Sequence, residues 1–468
     1  RQSVFLAGKA GTGKSTFLRY VCEHTKKKHV VLAPTGIAAI NAGGSTMHSF
    51  FKLPFYPLLP DDPNLSLQRG RIHEFFKYTK PHRKLLEQIE LVIIDEISMV
   101  RADLIDAIDR ILRVYSHNLR EPFGGKQLLL VGDVFQLEPV VKNDEREILN
   151  RAYPTPYFFS ARVFSQIDLV SIELQKVYRQ TDSVFVSVLD HIRTNTAGAA
   201  DLQLLNTRYG SHIEESEADM YITLATRRDT VDSINEKKLA ELAGEPITFE
   251  GSIEGDFPES SLPTSQELVL KPGAQIIFIK NDFDRRWVNG TIGVIAGIDE
   301  EEETIYVITD DGKECDVKRE SWRNIRYRYN EKTKEIEEEV LGSFTQYPIR
   351  LAWAITVHKS QGLTFSRVVI DFTGGVFAGG QAYVALSRCT SLDGIQLKKP
   401  INRADIFVRP EIVNFAGRFN DRQAIDKALK QAQADVQYAA ASRAFDKGDM
   451  EECLEQFFRA IHSRYDIE

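Results

Sequence analysis

The chain has 468 residues, more than one hydrophobic core accommodates, so three or four domains are expected. Its 43% hydrophobic content is ample for burial, and a formal charge of -8 gives no global sign of nucleic-acid binding, although clusters such as Lys26-Lys27-Lys28 and Arg323 to Arg328 leave room for a local basic groove. Cys22, Cys315, Cys389 and Cys453 form no Cys-x-x-Cys pair, which argues against a disulfide framework or zinc site and for a reducing compartment. No run of 18 apolar residues predicts a membrane span.

The first predicted strand, Val4 to Ala7, runs into Gly8-Lys9-Ala10-Gly11-Thr12-Gly13-Lys14-Ser15-Thr16 and then a helical Phe17 to Cys22. Strand, G-x-x-x-x-G-K-[ST] loop and helix together are the phosphate-binding arrangement. Glycines turn the backbone so that its amides face phosphate oxygens, and the new helix directs its positive dipole end there. Gly8, Ala10, Gly11, Thr12, Gly13, Lys14, Ser15 and Thr16 are therefore expected to cradle ATP, with Lys14 on the β- and γ-phosphates and Ser15 on magnesium. The chain starts at Arg1 without an initiator Met, so any targeting segment is unreadable from it.

Val30 to Ala33, Leu91 to Asp95, Gln127 to Gly132 and Leu169 to Ile172 are nearly all apolar, as buried parallel strands are. They predict a doubly wound α/β domain with nucleotide at the carboxyl ends of its strands. The proline-rich Leu53 to Asn64 reads as an excursion from this sheet, where Phe55 and Tyr56 serve either local packing or stacking on bases. Asp95 and Glu96 end an apolar strand, where Asp95 would hold magnesium and Glu96 would activate the attacking water. After the next strand, Gln136 can hydrogen-bond the γ-phosphate and report hydrolysis.

A second α/β region starts near Gln175. Arg179 and Arg388 would project from it toward the first domain as phosphoryl-stabilising arginines, or else form interdomain ion pairs. Tyr221 to Thr226 and Val368 to Asp371 look like strands of one sheet, interrupted from about Gly244 to Thr345 by Gly-bounded β segments that predict an inserted barrel. Thr356 to Thr364 packs hydroxyls, an amide, a cation and a glycine into one loop suited to phosphate-backbone contact. Ala33 to Gly36 and Gly44 to His48 form a similar loop in the first domain, so two loops could grip one strand. From about Asn420 the apolar spacing is helical, predicting a hairpin or bundle.

These motifs, with Ile94-Asp95-Glu96-Ile97-Ser98-Met99, Gly132 to Leu137 and His358-Lys359-Ser360-Gln361-Gly362, resemble the superfamily 1B DNA helicases. Arg101 to Leu104 through Pro122-Phe123-Gly124-Gly125-Lys126-Gln127-Leu128 resembles the signature of the petite-integration-frequency (Pif) helicases. The resemblance implies an α/β fold of two RecA-like domains: residues 1–174 with a wedge insertion at about 53–80, and residues 175–243 with 346–419. An SH3-like barrel would occupy 244–345 and helices 420–468. It implies ATP and magnesium as cofactors and 5′-to-3′ translocation on single-stranded DNA, with duplex unwinding and possible action on G-quadruplexes. A monomer acting on single-stranded and forked DNA, in the cytoplasm or nucleoid if bacterial, is expected.

By the same resemblance Lys14, Glu96, Gln136, Arg179 and Arg388 are catalytic, Ser15 and Asp95 hold metal, and Thr35, Gly36, His48, His358, Lys359 and Thr364 touch DNA. The family's adenine-recognising glutamine motif would lie upstream of Arg1, and Ala225-Thr226-Arg227-Arg228 stands where Ala-Thr-Asn is usual. Tyr438 to Ile461 faintly resembles one tetratricopeptide repeat, but packing of these helices on the core is the stronger expectation. A different reading, an ATP-gated nucleic-acid remodeller, also predicts ATPase activity. Strand separation distinguishes the two.

Overall fold

The computed structural model describes residues 2–66, 71–180, 182–211 and 220–465. Strands β1 (Val4–Gly8), β2 (His29–Ala33), β3 (Ser45–Thr46), β4 (Leu91–Ile94), β5 (Gln127–Gly132) and β6 (Val170–Leu174) form a parallel sheet in the order β3-β2-β4-β5-β1-β6. Successive side chains point to opposite faces, so the apolar runs divide between two cores. Leu6, Val31, Ile93, Leu129 and Val131 share one core with Leu18 of α1 (Lys14–His24). Phe5, Val30, Val92, Leu128 and Leu130 share the other with Ile105, Ile108 and Ile111 of α6 (Ala102–Tyr115). The loops after β1, β4 and β5 thereby meet at the carboxyl ends of three strands paired in sequence.

Between β2 and β6 run α2 (Gly36–Ala42), α3 (Met47–Phe51), α4 (Arg71–Phe76), α5 (Lys80–Gln88) and α7 (Asn143–Leu149). The proline-rich excursion has no strand or α-helix over 53–62, but Leu53, Leu58 and Leu65 reach the core of the first sheet, and the Leu58 amide donates to Asp103 Oδ2 at 3.0 Å. Residues 67–70 of the expected wedge lie outside the described residues.

The second parallel sheet has the order β18-β7-β19-β20. It joins β7 (Ile222–Ala225), β18 (Ala354–Thr356), β19 (Val368–Asp371) and β20 (Ile395–Leu397), with α8 (Ser183–Arg193), α9 (Ala199–Asn206), α10 (Arg228–Glu241) and α11 (Gln381–Leu386), whereas α12 (Pro410–Ala416) packs Ile412 and Phe415 into the core of the first sheet. Between β7 and β18 stand β8 (Ile247–Glu250), β9 (Ser252–Gly255), β10 (Glu267–Leu270), β11 (Gln275–Phe278), β12 (Ile292–Asp299), β13 (Thr304–Thr309), β14 (Glu314–Val317), β15 (Glu320–Asn330), β16 (Glu335–Gln346) and β17 (Ile349–Leu351). They pair as β14-β13-β12-β11-β17, β10-β8 and β15-β16-β9. The five-stranded sheet takes β17 from beyond residue 345 because Ile276 and Phe278 of β11 need an antiparallel partner on that side.

The β15–β16 hairpin leaves the barrel. Ile325, Tyr327 and Tyr329 join the core of the first sheet, and the Val31 amide donates to the Tyr327 hydroxyl at 3.3 Å. Within the basic cluster Arg323 to Arg328, Arg326 and Arg328 face Glu339 and Glu337 across the ladder, with Arg326 Nη2 2.7 Å from Glu339 Oε2, while Arg323 faces Ser343.

The tail is a hairpin of α13 (Arg422–Asp446) and α14 (Met450–Tyr465). Its buried residues are all alanines, Ala428, Ala434, Ala441, Ala444 and Ala460, while Leu429, Val436, Leu454, Phe457 and Phe458 are exposed. The two helices close on each other through small side chains, and the expected broad packing on the core is not what this pattern describes. Among the described residues no helix is long and apolar enough to cross a membrane.

Candidate active site

A cleft of ≈ 1030 Å³ is lined by Ala10 to Thr16, Glu96, Gln136, Arg179, Gly362, Thr364 and Arg388, together with Phe17, Tyr20 and Tyr178. Gly11 (φ 77) and Gly13 (φ 87) occupy the left-handed region, and a Cβ on Gly11 would lie 2.4 Å from Arg179 Cβ. Glycine is required there by conformation and by crowding together. No side chain caps the start of α1 at Gly13, so its first amides stand ready for an anion. Lys14 Nζ donates to the Gly8 carbonyl at 2.7 Å and the Lys9 carbonyl at 3.1 Å, and burial lowers its pKa. Gly8 itself lies behind the lining, where a Cβ would meet Thr12 Oγ1 at 2.5 Å.

Asp95 and Glu96 leave the end of β4. The Glu96 amide donates to Asp95 Oδ1 at 2.9 Å, and Glu96 is held at φ 50, a strain of roughly 1–3 kcal/mol in a residue with a Cβ. Burial raises both carboxyls, Glu96 to about 7 with the Asp95 charge adding to the rise and Lys14 opposing it. Half-buried carboxylates and an uncapped helix start carrying Ser15 offer oxygen donors of the kind magnesium takes, and the glycine cradle suits a triphosphate.

After β5, Gln136 Nε2 donates to Asp133 Oδ2 at 3.4 Å, and Gln361 Nε2 donates to Gln136 Oε1 at 3.5 Å. The loop after β5 is thus joined to the loop after β18. Gly380 (φ 77) lets α11 approach, since a Cβ there would lie 2.3 Å from the Phe135 carbonyl. From α11 the Tyr383 hydroxyl accepts from the Ala10 amide at 3.0 Å.

Arg179 Nη1 donates to the Ser387 carbonyl at 3.1 Å and Nη2 to the Gly362 carbonyl at 3.4 Å. Arg388 Nε donates to the Val384 carbonyl at 3.0 Å and Nη1 to the Ser360 carbonyl at 3.3 Å, and burial with the nearby Arg179 charge lowers its pKa to about 9. Neither arginine spends these bonds on a carboxylate, which disfavours the ion-pair alternative. An arginine that does bridge as an ion pair beside the cleft is Arg193 of α8, missed in the sequence. Its Nη2 lies 3.0 Å from Asp133 Oδ1 and 2.6 Å from Glu173 Oε1, with its guanidinium over the Phe135 ring at 4.4 Å. Also missed were Phe17, Tyr20 and Tyr178, an aromatic wall whose only sequence signal is adjacency to the phosphate loop and to Arg179.

The residues expected on DNA come from both parallel-sheet regions. Thr35 caps α2, accepting from the Ala38 amide at 3.2 Å, and Gly36 lies against Ser261 of the inserted region, where a Cβ would be 2.3 Å from its Oγ. His48 is half-buried on α3, while His358 and the exposed Lys359 share the loop after β18. Thr364 lines the nucleotide cleft, at the end of a loop that Arg179 and Arg388 hold through the Gly362 and Leu363 carbonyls.

A family model described as PIF1-like helicase matches residues 1–197. The ATP-dependent DNA helicase Pif1 of Campylobacter jejuni is 33% identical over 412 residues, covering 84% of this chain and 88% of that protein. The chain belongs to the PIF1-like helicase family. A crystal structure of Bacteroides sp. Pif1 in complex with ADP-AlF4 superposes with a TM-score of 0.81 at 41% identity, covering 89% of this chain and 93% of that one. Bacteroides Pif1 bound to ssDNA gives 0.63 at 40% identity, covering 91% and 95%. Both PIF1-like structures extend over the two parallel sheets and the insertion between them, so the α/β architecture is the family's.

Proposed function

We propose that this ATP-dependent DNA helicase translocates 5′ to 3′ on single-stranded DNA as a monomer and separates the complementary strand ahead of it. The observation that carries the reading is the convergence of Lys14, Glu96 and Gln136 from the first sheet with Arg179 and Arg388 from the second on one cleft. ATP bound there supplies the phosphoryl group that passes to water, and magnesium shields its charge.

In this reading the amides of Gly11 to Ser15 and Lys14 Nζ bind phosphate oxygens, Lys14 leaving its present carbonyl partners to do so. Ser15 Oγ and an Asp95 carboxylate oxygen would hold magnesium. Glu96 takes the proton of the attacking water, and its raised pKa lies close to neutral pH, where a general base works best. Arg179 and Arg388 meet the charge that builds on the transferred group. Gln136, joined to Gln361, links the state of the cleft to the loop carrying His358 and Lys359.

The test is fluorescent strand separation with ATP and magnesium on one duplex carrying either a 5′ or a 3′ single-stranded tail. Unwinding from the 5′ tail only, abolished by Lys14→Ala, is expected. Unwinding from the 3′ tail would reverse the polarity, and hydrolysis stimulated by single strands without strand separation would favour the ATP-gated remodeller. A G-quadruplex placed beyond the 5′ tail tests that substrate in the same format.

A further inference from the structure

Away from the nucleotide cleft, a second cavity of ≈ 470 Å³ lies where the β15–β16 hairpin meets the first sheet region. One wall comes from α3, α5 and their ends, with Ser49, Lys52, Thr79 and His82, and the facing wall from β15, with Arg326 and Arg328. Small-molecule sites run from about 300 to 1,000 Å³, so the space holds a ligand of that class.

The charges around this cavity do not balance. Arg326 Nη2 is 2.7 Å from Glu339 Oε2, and that pair cancels. Arg328 has no ion pair among the described residues, and Glu337, its neighbour across the ladder, accepts instead from Asn330 Nδ2 at 2.7 Å. Lys52 also has no carboxylate partner among the described residues, its Nζ lying 5.9 Å from the centre of the Tyr78 ring. Between the two cations His82 is only 9% exposed and stacks on Tyr78 with centroids 4.8 Å apart, and its Nε2 is buried with no hydrogen-bond partner. Burial, with Lys52 and Arg326 nearby, lowers its pKa to about 4, so the imidazole is neutral near pH 7 and leaves the cations uncompensated.

We propose that this cavity binds a small phosphate monoester, with Lys52 and Arg328 meeting its charge and His82 one of its oxygens. A monoester carries about two negative charges near pH 7 and three terminal oxygens, which matches two unpaired cations and one orphan nitrogen. A backbone phosphate of nucleic acid carries one charge and leaves a cation unmatched. Nε2 gains a partner in either tautomer, accepting from a protonated phosphate oxygen or donating to an unprotonated one. The Thr79 hydroxyl accepts from the His82 amide at 3.4 Å and keeps its own hydrogen to donate. Because the groups come from both walls, an occupied cavity ties the hairpin to α5.

Calorimetric titration of the full chain with thymidine monophosphate tests the site. One equivalent is expected to bind, about 10- to 100-fold more weakly in Lys52→Gln and in Arg328→Gln, the span of one charge-assisted hydrogen bond, and undiminished in Lys14→Ala. Both substituted side chains are exposed, and unchanged melting temperatures will show that the variants fold. In the wild type the ligand should slow hydrogen exchange of amides 320–346, an effect absent from the two variants. Absence of binding, or equal binding of thymidine without its phosphate, would overturn the site. So would a loss confined to Lys14→Ala, which would place the anion on the phosphate loop. Displacement of the monophosphate by a thymidine oligonucleotide, with oligonucleotide binding weakened equally in Lys52→Gln and Arg328→Gln, would overturn it as well by making the cavity part of the strand path.

Discussion

Arg388 is a cation whose hydrogen bonds go to the Val384, Ser360 and Leu363 carbonyls and the Ser387 hydroxyl, none of which neutralises it. Burial lowers its pKa to about 9, the direction expected for a charge awaiting an anion. Arg388→Ala is therefore expected to slow single-turnover hydrolysis by about 10³-fold or more while a fluorescent nucleotide still binds almost normally. A loss confined to nucleotide affinity would contradict its place at the transferred group. Arg193 differs in kind, because both its carboxylates are in place. Removing the cation strands Asp133 and Glu173 in a site where Arg193 is only 3% exposed, so Arg193→Met should cost about 3–5 kcal/mol in urea denaturation. A cost below about 1 kcal/mol would mean that water reaches the pair. The contrast explains what can be read in the chain. Lys14, Glu96, Gln136 and Arg179 each sit in a local pattern of strand, loop and polar residue, whereas Arg193 lies 60 residues from Asp133 and 20 from Glu173 with no pattern around it.

At the scale of elements the same logic separates the sheets from the hairpin between them. Strands such as Leu91–Ile94 and Gln127–Gly132 are legible because burial on both faces demands continuous apolar sequence. The β15–β16 hairpin alternates instead, with Trp322, Ile325, Tyr327 and Tyr329 buried among arginines, and alternation fixes a strand without saying which core receives its apolar face. Tyr327 supplies that answer through its hydroxyl at Val31 and its ring 6.1 Å from Phe50. Tyr327→Ala should remove about 3–5 kcal/mol of local packing. Hydrogen exchange is the measure: amides of 320–346 should lose protection while those of β4 and β5 keep theirs. Uniform loss across the first sheet would show that the hairpin is part of its folding unit.

For the molecule as a whole the decisive question is which parts the cleft depends on. The two sheets are fastened beside the phosphate loop by Tyr383 on the Ala10 amide, by Lys9 Nζ 2.5 Å from Asp190 Oδ2, and by the Gly380 approach to the loop after β5. None of these contacts involves α13 or α14. The last tie before the tail is Asn420, whose Oδ1 accepts from the Glu173 amide at 2.9 Å and whose amide donates to the Ser171 carbonyl at 2.9 Å. Past it, the Lys427–Asp168 ion pair at 3.2 Å is exposed and worth at most about 1 kcal/mol. A chain ending at Asp421 keeps Asn420 and should melt within about 3 °C of the full chain, with hydrolysis stimulated by single strands retained. Scanning calorimetry decides between this and a tail that belongs to the core, which would lower the main transition by ten degrees or more. The exposed Leu454, Phe457 and Phe458 point the same way, since a tail integral to the core would have buried them against β6 rather than closing on alanines.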